Sequence, residues 1–237
     1  MAQGWTPASY ALSVDALQEI GYKRIALGGL IAQKTHEIIA VLNAIAPVRR
    51  TDTEFHLLGV TRCDHVEAFQ DLGVTSFDST SPFRQAFKDD RDNYYADDRT
   101  FLALRVPQVE GNPRLQRRIS SGEIDQSTAR RLEQRALATL AAFDRGHADV
   151  EETVVALRDY ERVHDDQRDR SSAYREVLEN APWKSCSCAV CQNVGIQVII
   201  FRGTERNKRR GFHNLAVFAR RLDRELIRAH DPTPCVA

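Results

Sequence analysis

One pattern in the first 87 residues constrains the fold more than any other: a short apolar run, a turn, then an amphipathic stretch, recurring about every 25 residues. Arg24-Ile25-Ala26-Leu27 ends in Gly28-Gly29-Leu30, and Ala32 to Ala46 then places Ile38, Ile39, Leu42 and Ile45 at helical spacing. Glu54-Phe55-His56-Leu57-Leu58 ends in Gly59, and Asp64 to Leu72 carries Val66, Phe69 and Leu72 on one face. A third strand, Val74-Thr75-Ser76-Phe77, stops at Asp78 ahead of the turn residues Ser79 to Pro82. A strand end at Gln3-Gly4, followed by a Ser9 to Ile20 helix, makes an earlier, truncated unit. Such alternation builds a parallel sheet from βαβ units, and strands apolar on both faces suit a barrel or a doubly wound sheet. Four units are half of a (β/α)8 barrel, an architecture whose chemistry gathers at the C-terminal strand ends. Those ends are Gln3, Gly28-Gly29, His56 to Gly59 and Asp78.

The pattern then stops. From 88 to 180, Arg, Asp, Glu and Ala dominate, and two helices are expected, Ser127 to Asp144 and Asp149 to Glu179, separated at Gly146. The first has Ala129, Leu132, Ala136, Leu137, Leu140 and Phe143 as its buried stripe, and the charges form a solvated face. After Pro182 come a cysteine cluster, a strand-like Ile196 to Phe201, and a last helix with Leu215, Phe218, Leu222 and Leu226 on one side. The expected organisation is α/β: a half (β/α)8 TIM barrel over 1–87, a helical insertion over 88–180, and a zinc-binding subdomain with a basic helix over 181–237.

Charge sharpens that division. The chain of 237 residues has 33 acids and 33 bases, a zero that argues against a nucleic-acid partner until it is resolved by segment. Residues 1–87 hold nine acids and seven bases, 88–180 hold 20 and 16, and 181–237 hold four and ten. Arg206, Lys208, Arg209 and Arg210, with Arg220, Arg221, Arg224 and Arg228 behind them, are either a phosphate-backbone contact or an ordinary Arg-rich surface. No run approaches the roughly 18 apolar residues of a membrane helix, and the first residues lack the order of a signal peptide, so a cytoplasmic location is expected.

Two constellations carry chemistry. Cys186, Cys188 and Cys191 place three thiolates within reach of one ion, and His213, at the start of the expected last helix, completes a Cys3His set, the inventory of a closed structural zinc site. Cys63 and Cys235 stand alone as ordinary thiols. Asp78 is either a nucleophile or general base fixed by its strand end, or a turn or N-cap aspartate. Gly28-Gly29 either admits a planar ligand to backbone amides or only turns the chain.

Taken together, Gln3-Gly4, Tyr22 to the Gly-Gly-Leu at 28–30, His56-Leu57-Leu58-Gly59-Val60, Phe77-Asp78 with Pro82 and Arg84, the CxCxxC, and Phe212-His213-Asn214-Leu215 resemble the C-terminal half of the tRNA-guanine transglycosylase superfamily. The resemblance implies a pentosyltransferase in which Asp78 attacks C1′ of a guanosine and the expelled guanine is exchanged for a 7-deazaguanine base. By the same resemblance Gln3, Gly28, Gly29 and Leu30 lie against the base, Leu58 packs on it, Arg84 sits near substrate phosphates, and Cys186, Cys188, Cys191 and His213 hold zinc. Gln3-Gly4-Trp5-Thr6-Pro7 and the insertion are most similar to the DpdA-type branch, which modifies DNA. The expected substrate is therefore DNA, presented with guanine out of its stack. The same exchange on tRNA is the alternative. The strands that carry the family's other aspartates have no counterpart ahead of Gln3, so a second polypeptide or a homodimer is expected to supply the missing half-barrel. A non-catalytic, zinc-containing nucleic-acid-binding subunit is the third reading.

Overall fold

A computed structural model describes residues 1–60, 62–88 and 92–230, the last three as backbone alone; Cys235 and the side chain of Arg228 lie outside it. The chain forms two compact units, residues 1–81 with the chain from Ala219 onward, and Pro82–Phe218. Among the described residues no helix is long and apolar enough to cross a membrane.

In the first unit, helix α1 (Pro7–Glu19) is followed by β1 (Arg24–Leu27), α2 (Thr35–Ile45), β2 (Glu54–Leu57), α3 (Val66–Asp71) and β3 (Val74–Phe77). Helix α1 starts where it does because Thr6 and Ser9 form a reciprocal capping box ahead of Pro7, at a position where a missing N–H costs nothing. The strands form a parallel sheet in the order β1-β2-β3, and Ala2 bridges to Leu27 on the far side of β1. Strand and helix positions agree with the sequence expectation to within a few residues.

The strands alternate, however, where both faces were expected to be apolar. Ile25, Leu27, Phe55 and Leu57 are buried in one cluster with Tyr10, Val14, Ile38, Leu42 and Ile45 of α1 and α2. Arg24, Ala26, Glu54, His56, Thr75 and Ser76 instead line a recess of about 580 Å³. Arg24 and Glu54, opposite one another in the register, pair there at 3.1 Å. At roughly 25 cal/mol per Å² of apolar area, the helix-covered face holds the sheet together and leaves the other face free to be polar.

The second unit begins within α4 (Ser81–Gln85) and contains β4 (Tyr94–Tyr95), β5 (Thr100–Phe101), β6 (Leu104–Arg105), α5 (Pro113–Ser120), α6 (Gln126–Asp144), α7 (Val150–His164), α8 (Ser171–Asn180), α9 (Pro182–Ser185), α10 (Ala189–Val194) and β7 (Ile200–Phe201). The long helix α11 (Gly203–His230) follows. One hydrophobic cluster runs from Tyr94 to Ile200, drawing on Leu140, Leu157, Tyr174 and Trp183 as well as Cys188, Cys191 and Ile196. Asp125 and Asp149 cap α6 and α7 by accepting from Thr128 N and Glu152 N, and Gly146 turns between them at φ +78°.

Three local expectations are corrected. The helix expected over Asp149 to Glu179 is broken after His164, because Arg170 folds back on α7: its N–H donates to Glu161 Oε2 at 3.0 Å, and its guanidinium pairs with Glu161 and, at 3.5 Å, with Asp165. The apolar run Ile196 to Phe201 is mostly a 3-10 turn, Gly195–Val198, with only Ile200–Phe201 paired, in parallel with Leu104–Arg105. His213 lies in the middle of α11, since that helix starts at Gly203, ten residues earlier.

Candidate active site and metal centre

The C-terminal edge of the parallel sheet collects the residues singled out on the first unit. Gln3 lies against Gly28, where an added Cβ would sit 3.1 Å from Gln3 Nε2. Tyr10 Oη donates to Gly28 O at 2.7 Å, and Gly29 turns beside it at φ +79°, a conformation that favours glycine. Leu58 is 37% exposed, so its side chain is accessible, whereas Leu30 is fully buried and offers a ligand only its backbone.

Asp78 follows β3 and is held from two directions. Gly59 N donates to its Oδ1 at 2.8 Å, and His56 Nε2 lies 3.2 Å from the same oxygen. The Gly59 amide holds the Asp78 carboxyl below the usual carboxylate range; burial opposes it, and the His56 hydrogen bond and charge add smaller lowering effects. The side chain nevertheless remains 59% exposed. An anchored, ionised and accessible carboxylate is what a nucleophile needs. It is not an N-cap in this structure, since its side-chain partners are Gly59 and His56. His56 and Ser76 are site residues to which the sequence reading gave no role. The signal for them was the alternation of β2, which puts His56 on the polar face.

The second unit carries the cysteine cluster. Cys186, Cys188, Cys191 and His213 offer ligand atoms that all lie within 4.8 Å of one another. The three sulfurs lie 3.7, 3.4 and 3.2 Å from His213 Nδ1. A tetrahedral zinc ion with bonds of about 2.3 Å to sulfur and about 2.0 Å to nitrogen requires sulfur–nitrogen separations of roughly 3.5 Å. The donor set therefore fits. His213 Nε2 donates to Tyr95 O at 2.8 Å, which leaves Nδ1 as the coordinating nitrogen, and the Tyr94 ring stacks on the imidazole at 4.2 Å. Cys191 N donates to Cys188 Sγ at 3.4 Å. The hydrogen bond between Cys191 and Cys186 pulls the Cys186 thiol down, against burial, and pushes Cys191 up. A cation relieves such a conflict. Among the described residues this is the one group with a metal-ligand inventory.

The basic residues do not share one fate. Arg84, Lys208 and Arg209 are exposed, Lys208 in an ion pair with Glu205 at 2.9 Å. Arg206 is half-buried and donates twice to Gln197 Oε1. Arg210 is fully buried, donating to Ile200 O, Ala86 O and Asn207 Oδ1, and so is corrected from a phosphate contact to an internal strut. All five lie in the second unit.

Fold and sites together define an α/β protein with a strand-end carboxylate on an open parallel sheet and a closed Cys3His cluster. No family model matches the chain. Among curated proteins it is 44% identical, over 236 residues, to a DNA-guanine transglycosylase of Salmonella montevideo, covering 98% of this chain and 57% of that protein. It is 36% identical over 75 residues to a queuine tRNA-ribosyltransferase of Pseudomonas aeruginosa strain LESB58, covering 31% of this chain and 20% of that protein. A queuine tRNA-ribosyltransferase of Azotobacter vinelandii matches at 33% over 75 residues, again 31% of this chain and 20% of the relative. These matches bear out the resemblance read from the sequence: the chain is related to the guanine transglycosylases. It spans little more than half the length of the DNA-guanine transglycosylase.

Proposed function

We propose that this chain is the nucleophile-bearing part of a base-exchange transglycosylase that replaces guanine in DNA by a 7-deazaguanine derivative. The observation that carries the reading is Asp78: a strand-end carboxylate, anchored through one oxygen and open to solvent, in a chain related over 98% of its length to a DNA-guanine transglycosylase. In the proposed reaction Asp78 forms a bond to C1′ as the C1′–N9 bond of guanine breaks, its electron pair leaving with the base, which takes a proton from water. N9 of the incoming base then attacks C1′ and gives up its proton, and the ester bond returns its electrons to Asp78.

Gln3, the Gly28-Gly29 backbone, the backbone of Leu30 and the Leu58 side chain are assigned to the base. Arg84, Arg206, Lys208 and Arg209 are assigned to the phosphate backbone. Zinc is assigned to Cys186, Cys188, Cys191 and His213, where it would stabilise the fold and take no part in the exchange. We further propose that the parallel sheet of 1–87 is part of a (β/α)8 barrel, with 88–180 as an insertion and 181–237 as the zinc-bearing part. Its remaining strands would come from another chain, a second copy, or a longer form of this one.

The test is exchange of labelled guanine into DNA, with the 7-deazaguanine base as acceptor and Asp78→Asn as control. A covalent DNA adduct with the native chain and none with Asp78→Asn is expected; equal labelling by both would overturn the assignment. The 36% identity to a queuine tRNA-ribosyltransferase favours one second reading, the same exchange on tRNA. Labelling confined to tRNA would establish it.

A further inference from the structure

Among the described residues two donors reach Asp78, and one of them is itself held. His56 Nδ1 lies 2.9 Å from Ser76 Oγ, while His56 Nε2 faces Asp78 Oδ1 at 3.2 Å. An ionised carboxylate only accepts, so Nε2 carries the proton. In the neutral ring Nδ1 then accepts from the Ser76 hydroxyl, so Asp78 fixes the tautomer and Ser76 fixes the orientation of the ring.

An irregularity in the sheet makes this alignment. Phe55 pairs with Val74, but His56 pairs with Ser76, so the register skips Thr75. Bulges of this kind re-aim side chains. With an unbroken register His56 would face Thr75, and Ser76 would fall beside Leu57, whose side chain is fully buried. The shift brings Ser76 onto the recess face beside His56.

Both donors converge on Oδ1, and Oδ2 receives no hydrogen bond from the described residues. We propose that His56, oriented by Ser76, is a positioning residue for Asp78: it and the Gly59 amide clamp Oδ1 so that Oδ2 meets C1′. The assignment rests on the transglycosylase reading. His56 touches neither the breaking nor the forming bond; its N–H also steadies the carboxylate re-formed when the incoming base displaces it. The bland alternative is an exposed ion pair of little consequence.

The experiment has two arms. In the first, carbon-13 NMR follows the Asp78 carboxyl through an acid titration in native protein, His56→Ala and His56→Gln. Its midpoint is expected to rise in His56→Ala and return toward native in His56→Gln, whose amide N–H falls near the place of Nε2. In the second, single-turnover adduct formation is measured with labelled DNA. His56→Ala should slow it about 10- to 100-fold, the loss of one hydrogen bond to a charged group, with unchanged DNA affinity. His56→Gln and added imidazole should each restore most of the rate, and melting curves of all variants should coincide.

An Asp78 midpoint that ignores His56, or a His56→Ala rate equal to native, overturns the positioning role and leaves the transglycosylase reading standing. Loss in His56→Ala without rescue by Gln or imidazole also overturns it. A native protein that forms no adduct in the presence of the complementary half of the DNA-guanine transglycosylase overturns the reading itself, and the role with it, even where the NMR coupling is seen.

Discussion

The two candidate sites stand at opposite extremes of solvent access. Asp78 is 59% exposed and one of its carboxylate oxygens receives no hydrogen bond from the described residues, whereas His213 is fully buried and all four ligand atoms of its cluster face one another. With a metal bound, such a set of thiolates and imidazole would direct its bonding capacity inward, in keeping with the structural role proposed for it. An open carboxylate contributes little to stability, and its spare acceptor is available to a substrate. Variants at the two sites should therefore separate folding from chemistry.

The largest effect is expected on removing the metal. A structural zinc ion contributes on the order of 10 kcal/mol, comparable to the ~5–15 kcal/mol stability of an entire domain. Cys188→Ser, or a strong chelator, should abolish cooperative melting of the Pro82–Phe218 unit in near-ultraviolet circular dichroism. Atomic emission should find one zinc per native chain. A chelated chain that melts like the untreated one would break the contrast at its closed end.

Next comes Asp78→Asn. Replacing a nucleophile should lower adduct formation at least about 10³-fold. The melting free energy should stay within about 0.5 kcal/mol of native, since the position is exposed. A variant that melts much earlier would make Asp78 structural after all. Because the Gly59 amide holds this carboxyl low, the native exchange rate should be flat through pH 5 and fall only in stronger acid.

What was legible in the sequence follows the same contrast. The strand–turn–helix repeat exposed α1, α2 and the three strands because apolar spacing is written directly into residue order. The cysteine cluster was legible because CxCxxC already brings three ligands together. The last helix was misread for a physical reason: its buried stripe is polar. Asn207, Arg210, His213 and Asn214 face inward with Val217, while the expected apolar set, Leu215, Phe218 and Leu222, is only half-buried. The cost of burying that stripe is met by specific partners: Asn214 donates to Pro82 O and Asn93 O and accepts from Tyr95 N. No rule of hydrophobic period anticipates such contacts. The break at Arg170 was hidden likewise, with no glycine or proline to mark it.

A third, smaller effect concerns acid. His164 is 4% exposed, neither ring nitrogen has a hydrogen-bond partner among the described residues, and the Tyr160 ring lies 5.1 Å away. Burial, with Arg105 and Arg170 nearby, lowers its pKa to about 3, and Asp165 opposes them. Below the ordinary value near 6.5, unfolded chain takes up a proton that folded chain refuses. Stability is then full above pH 6.5 and declines toward pH 3, by up to about 1.4 kcal/mol per pH unit. His164→Leu should flatten this decline by a few kcal/mol between pH 6.5 and 4 in urea titrations, metal loss being common to both proteins. An unchanged slope would show that His164 accepts its proton without unfolding.

The smallest effect sharpens the contrast within a single helix. Lys208 and Arg209 are exposed, while Arg210, their neighbour, is fully buried. If the first two meet phosphate, each change to alanine should weaken DNA binding by several-fold and reduce the slope of log affinity against log salt by about one, whatever the sequence of the DNA. Arg210→Met should leave that slope unaltered and instead lower stability by roughly 1–3 kcal/mol, because Ile200 O, Ala86 O and Asn207 Oδ1 lose their donor. Salt-dependent binding and urea melting of the same three proteins measure both quantities. A slope change in Arg210→Met, or none in the other two, would mean that the basic character of α11 serves packing and leaves phosphate recognition to other residues.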